Sequence, residues 1–166
     1  MIDILELQRK IYDNAASKGF HDKHRSDGEI IGLIHTELSE ALEELRNGHQ
    51  WDEIYYNETK PEGYLVELAD AVIRVFDYFG SIGYETEAPV LLGDISMNIK
   101  NFPAYCHKVV SKAYKYQRDI IKPILLEDLI HVVYSFFEFH NKNLFDVIEL
   151  KHNFNVTREY LHGKVL

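Results

Sequence analysis

Apolar residues recur at helical spacing through most of this chain and predict helices along nearly its whole length. Ile4, Leu5, Leu7, Ile11, Tyr12 and Ala15 form one stripe over residues 2–17, with Gly19 as the stop. A polar segment, FHDKHRSDG from Phe20 to Gly28, follows. Asp27 then reads as the N-cap of a second helix running to Arg46, whose stripe is Ile34, Leu38, Ala41, Leu42 and Leu45 and whose stop is Asn47-Gly48. His49 to Gly63 reads as a connecting loop, and Pro61 and Gly63 place the next helix start near Tyr64. That helix carries Leu68, Ala71, Val72, Val75, Phe76 and Phe79, with Gly80 and Gly83 expected to end it. Beyond a loop over 84–92, a long helical region over 92–121 is expected, interrupted by Pro103. A strongly apolar helix, Ile124 to Phe139, follows Pro123, and a last helix spans Leu144 to Leu161, capped by Gly163. The expected fold class is all-α.

The chain's 166 residues suffice for a single domain with its own core. At 46% hydrophobic and 27% charged, the composition is globular and excludes wholesale disorder. No apolar run reaches the roughly 18 residues of a membrane span, and MIDILELQRK lacks a signal-peptide pattern, so a cytoplasmic protein is expected. The single cysteine, Cys106, excludes an intrachain disulfide and reads as a small buried residue. A net charge of −9 argues against a broad nucleic-acid surface. It leaves a nucleotide open as substrate, because a metal and a few local cations can offset the charge.

The acids that change the picture lie on the second and third helices. Glu37 and Glu40 are three apart, as are Glu67 and Asp70, so each pair shares a helix face. Packed antiparallel, the two helices would gather four carboxylates, whose mutual repulsion calls for a cation. Ligands made only of oxygen select hard ions, Mg²⁺ ahead of Ca²⁺, with Mn²⁺ as a substitute. The plain alternative is a solvated acidic face. Against it, Glu67 and Asp70 sit in YLVELADAVIRVF, an otherwise mostly apolar run, and part-buried acids need partners. Arg74, one turn after Asp70, either pairs with Glu67, Asp70 or Asp77 or meets a phosphate.

The two halves of the chain also align. HTELSEALEELR (His35–Arg46) matches HKVVSKAYKYQR (His107–Arg118) at His, Ser, Ala and Arg, with Val109 in place of Glu37 and Lys112 in place of Glu40. LADAVIRVFDYF matches LIHVVYSFFEFH, placing Asp128, His131 and Glu138 opposite Glu67, Asp70 and Asp77. A degenerate repeat predicts a four-helix core of two pseudo-repeated α-hairpins plus terminal helices: an acid-bearing hairpin over about 28–80, a degenerate one over about 92–140, and a C-terminal helix over about 144–162. The second copy would serve as scaffold, with Lys108 or Lys112 facing phosphates.

These motifs resemble a known family. HTELSEALEELRNG followed by KPEGYLVELADAVIRVFDYFG is similar to the ExxE–spacer–ExxD signature of the MazG-type all-α nucleoside triphosphate pyrophosphohydrolases, and KHNFNVTREYLHGK (Lys151–Lys164) is similar to the KxxxNxxRxxxHGxK ending of many members. The resemblance covers roughly residues 18–80 and 140–166. It implies hydrolysis of a nucleoside triphosphate to monophosphate and pyrophosphate, with Mg²⁺ held by Glu37, Glu40, Glu67 and Asp70. One of these acids, or Glu44 one turn beyond Glu40, would orient the attacking water or take its proton. Many relatives carry a further acid where this chain has Thr36, which leaves the identity of the base and the number of metals open. Lys151, Asn155 and Arg158, at i, i+4 and i+7, would bind phosphate oxygens; as a plain alternative they complement the helix dipole. Many members build the core from two chains and a few from one, so a homodimer stays open.

Two aromatic residues have both readings. Phe20 would stack on a base or anchor the core; Trp51, the only tryptophan, would cover a base or pack its loop onto the bundle. His21 and His24 form a ligand-like pair or a solvated one. Two other classes of function compete: a ferritin-like di-iron protein, for which Asp128 and His131 are the only approximation, and a non-catalytic nucleotide- or partner-binding module.

Overall fold

A computed structural model describes residues 3–93, 98–115 and 121–163. Arg118, Lys164 and the side chain of His162, named above, lie outside what it describes. The protein is all-α, with one short hairpin. Its elements are α1 (Ile4–Ser17), α2 (Asp27–Arg46), β1 (Tyr55–Asn57), β2 (Lys60–Glu62), α3 (Tyr64–Ile82), α4 (Phe102–Lys115), α5 (Ile121–Phe139), α6 (Leu144–Thr157) and a 3₁₀ turn, Tyr160–Gly163. Helices α2 and α3 form one antiparallel hairpin and α4 and α5 the other; α2 packs on α4 and α3 on α5. α1 and α6 both close over α3, which is therefore central, with fourteen of its nineteen residues buried. Among the described residues no helix is long and apolar enough to cross a membrane.

The element boundaries follow local chemistry. Ser26, rather than Asp27, caps α2: its Oγ accepts from the Glu29 amide while Glu29 returns a bond to the Ser26 amide, a reciprocal capping box. Gly63 begins α3 with φ +131, where a β-carbon would lie 2.3 Å from the Glu53 carbonyl oxygen. Gly80 does not end α3. The helix runs on to Ile82 and stops at Gly83, whose φ of +68 gives the left-handed cap. Gly80 instead lets α1 approach: a β-carbon there would stand 2.4 Å from Tyr12 Cβ.

Other expectations shift. The helix expected from 92 is absent over its first described residues. Pro103 lies in the first turn of α4 rather than interrupting a helix, and Pro123 likewise lies in the first turn of α5. The segment 49–63 contains the β1–β2 hairpin, with Tyr55 opposite Glu62. α6 ends at Thr157, short of Leu161, because α1 takes the chain from there. Lys18 Nζ donates to the Arg158 carbonyl at 2.5 Å, and the Leu161 amide donates to the Lys18 carbonyl at 2.8 Å. Cys106 is buried, and burial pushes its thiol well above the ordinary range, as a packing residue requires.

Two residues paired by the internal alignment meet in space. His35 Nδ1 and His107 Nδ1 lie 2.7 Å apart with the rings stacked, and Ser39 and Ser111 each donate to the carbonyl four residues back, His35 and His107 respectively. Equivalent residues touch when they lie beside a two-fold axis.

Gly80→Ala is expected to lower the unfolding free energy by about 1–2 kcal/mol. Overpacking at about 1–3 kcal/mol outweighs the gain of about 1 kcal/mol that alanine brings to a helix interior. A urea midpoint that stays or rises would mean α1 yields to the methyl group.

Candidate metal centre

Three of the four expected acids converge. Glu37 projects from the middle of α2, and Glu67 and Asp70 from the first two turns of α3; one carboxylate oxygen from each lies within 4.8 Å of the others. They are only 5%, 1% and 9% exposed. Two cations meet them. Lys151 of α6, itself 1% exposed, places Nζ 3.2 Å from Asp70 Oδ2 and 3.6 Å from Glu67 Oε1. Arg74 pairs across the helix interface with Glu37, its Nε and Nη2 each 3.0 Å from Oε1, rather than with an acid of its own helix.

Burial and crowding set the protonation. Burial first, then the charge of Asp70, pushes the Glu37 carboxyl up to about 7, although Arg74 opposes. Burial pushes Glu67 up to about 9, against the pull of Lys151. Burial also disfavours the charged form of Asp70, but Lys151 and then Arg74 outweigh it and hold the group below the ordinary carboxylate range. For Lys151, burial is overcome by Asp70 and Glu67, so the ammonium stays charged.

The donor set fits a hard divalent cation. All three ligands are carboxylate oxygens. Oxygens on opposite sides of Mg²⁺ are at most about 4.2 Å apart and those around Ca²⁺ about 5 Å, so a spacing of up to 4.8 Å admits the larger ion directly and Mg²⁺ after a small closure. Another buried acid shows the contrast. Glu127 of α5 accepts from Tyr84 Oη at 2.8 Å and from Thr86 Oγ1 and the Glu87 amide at 2.9 Å each, and so needs no cation.

Glu40 lies one turn on at an exposed position outside the three-acid group, close enough that its charge adds to the raising of Glu37. Glu44 accepts from Tyr55 Oη at 3.0 Å and so ties α2 to the hairpin. The hairpin supplies residues the sequence reading missed: Glu62 lies beside Glu67, and Lys60 pairs with Glu62 at 2.7 Å. A loop that pairs into strands leaves little trace in three-residue segments. Phe20 is buried with the Arg25 guanidinium 5.1 Å over its ring, and it lines a small cavity of about 40 Å³ together with Asp70, Arg74, Asn155 and Arg158. Asn155 is buried, and its Oδ1 has no partner among the described residues.

Trp51 lies elsewhere. It packs edge-on to Phe136 and against His140, with Lys142 Nζ 5.5 Å over the ring, and it lines neither cavity. Lys108 and Lys112 are exposed and line neither cavity. His21 Nε2 donates to Asp77 Oδ1 at 2.6 Å, while His24 is exposed, and the two belong to no metal-capable cluster among the described residues. Asp128 and His131 belong to no metal-capable cluster among the described residues. Beyond Arg74 and Asp77 opens a larger cleft of about 880 Å³, lined by Tyr12, Tyr78 and Tyr84 and by His21, Lys23 and Arg25.

Compared with family models, curated proteins and solved structures, the chain matches none.

The raised carboxyls make a pH prediction. Glu37 and Glu67 bind protons more tightly in the folded than in the unfolded chain. The stability this contributes is complete below their ordinary value of 4.5 and is lost as pH rises through about 7 for Glu37 and about 9 for Glu67. In chelator, Tm is therefore expected to fall from about pH 5 to about pH 9, and Glu67→Gln to remove the upper part of that fall. A flat profile in the wild type would mean these carboxyls ionise without penalty.

Proposed function

We propose that this chain is a metal-dependent nucleoside triphosphate pyrophosphohydrolase of the MazG type, converting a (deoxy)nucleoside triphosphate to monophosphate and pyrophosphate. The observation that carries the reading is the convergence of Glu37, Glu67 and Asp70 from two packed helices, beside cavities bordered by guanidinium groups. Bound there, Mg²⁺ or Mn²⁺ supplies neutralising charge for the triphosphate and a more acidic water.

The chain's own groups have complementary tasks. Arg74 and Arg158 border the cavity beside Asp70 and bring guanidinium charge toward a phosphate bound there. Glu37 offers a carboxylate oxygen at the cluster that can orient the attacking water or take its proton. The water oxygen bonds to the α-phosphorus, the bond from that phosphorus to the α,β-bridging oxygen breaks, and pyrophosphate leaves. The larger cleft takes the nucleoside: about 880 Å³ falls within the roughly 300–1,000 Å³ of small-molecule sites, and its tyrosines offer faces to a base. With both hairpins in one chain, a monomer holds one site in a cytoplasmic enzyme, and a homodimer would add to it rather than complete it.

One observation favours a second reading, a binding module without turnover: Lys151 and Arg74 already bring two positive charges to the acids.

A panel of canonical and modified nucleoside triphosphates separates the two. With Mg²⁺, monophosphate plus pyrophosphate is expected, and EDTA should stop their formation. Asp70→Asn is expected to lower the rate by about a hundredfold or more while the protein stays helical. Diphosphate plus orthophosphate would reject the chemistry, and no turnover with any substrate would leave the binding module.

A further inference from the structure

The acid cluster carries a cation of its own. Resting on the metal reading above, we propose that the Lys151 ammonium is a tethered counter-ion, and that a divalent cation reaches Glu67 and Asp70 only by displacing it. Lysine is almost never fully buried without a partner, and here both partners belong to the cluster. The ammonium is held unequally by its two partners. Only its 3.2 Å approach to Asp70 lies within hydrogen-bonding range, and the 3.6 Å approach to Glu67 does not.

The two cations exclude one another. An ion at about 2.0–2.6 Å from these oxygens would stand within a few ångströms of Nζ, where like charges repel strongly in a dry site. The displaced ammonium has an acceptor to go to. Asn155 lies one turn along the same face of α6, and its buried Oδ1 has no hydrogen-bond partner among the described residues. Asn155 and Asp70 line the same small cavity as Arg158, so a lysine moved toward Asn155 adds its charge where an anionic ligand would meet the guanidinium. The exchange forms and breaks no covalent bond. Its consequences are that the fold stands without metal, that metal affinity is lowered, and that metal entry prepares the anion subsite.

Mn²⁺ titration of the full chain, followed by electron paramagnetic resonance, tests the exchange. Lys151→Met is expected to bind Mn²⁺ about tenfold or more tightly than the wild type, and Lys151→Arg to stay near it. Equal or weaker binding by Lys151→Met overturns the proposal. Absence of Mn²⁺ binding by the wild type and the variant rejects the metal reading itself, and the proposal with it. Because Lys151→Met strips Asp70 of its counter-ion and can cost the fold, the wild type supplies a second test. In ¹⁵N-lysine NMR, the Nζ resonance of Lys151 is expected to move as Mg²⁺ saturates the site. Calorimetric Mg²⁺ binding with that resonance unmoved would overturn the displacement while leaving the metal site standing.

Discussion

The fold is organised around two acids buried in its central helix. α3 touches both neighbours of the four-helix core and both terminal helices, yet it carries Glu67 and Asp70 on its buried surface. Breaking a buried ion pair by removing one partner costs about 3–5 kcal/mol, a large share of a domain's stability. The elements that bring partners are therefore constrained. α6 must dock with Lys151 at the level of Asp70, and Arg74 must leave its own helix for Glu37 on α2. Asn143 caps the start of α6, and Lys18 at the end of α1 holds the chain just past its end.

Burial of an acid is not by itself a sign of chemistry. Glu127 is as buried as Asp70, and its donors (a phenol, a hydroxyl and an amide) hold the segment 84–87 to α5. What separates the α3 cluster is the nature of its partners. It is met by charges, which a stronger charge can replace, rather than by directional donors that fix a loop. That difference makes the cluster a candidate for ligand exchange and Glu127 a structural clasp.

The parts legible in the sequence were those written in local periodicity. The stripes of α1, α2 and α3 gave their faces, and the ExxE and ExxD spacings gave three acids that do converge. Features set by tertiary contact were not legible. Gly80 carries the local signature of a helix end, but its meaning is the close approach of Tyr12, 68 positions away along the chain. Arg74 has acids on its own helix within reach and still pairs with α2, because the antiparallel packing brings Glu37 closer. The expected carboxylate quartet became a trio: α3 keeps both members of its pair in the cluster, whereas on α2 only Glu37 is buried against α3 and Glu40 is exposed.

The internal alignment sets the acid-bearing hairpin beside one with Val109 in place of Glu37 and His131 in place of Asp70. Position by position, His131 and Ser135 of α5 correspond to Asp70 and Arg74 of α3. On α3 that face is met by Glu37 and Lys151. On α5 it is covered by backbone from the loop after α3: the Val90 amide donates to His131 Nδ1 at 3.3 Å and the Leu92 amide to Ser135 Oγ at 2.9 Å. Neutral acceptors suit a strip of amides, whereas a second acid cluster there would have needed cations of its own. Val109 completes the change on α4, filling with apolar volume the place that Glu37 holds on α2. With His35 against His107 at the pseudo-axis, the asymmetry lies in what covers each hairpin rather than in the hairpins themselves. Lys151 of α6 meets the acids of the first, whereas backbone amides of Val90 and Leu92 meet the neutral acceptors of the second.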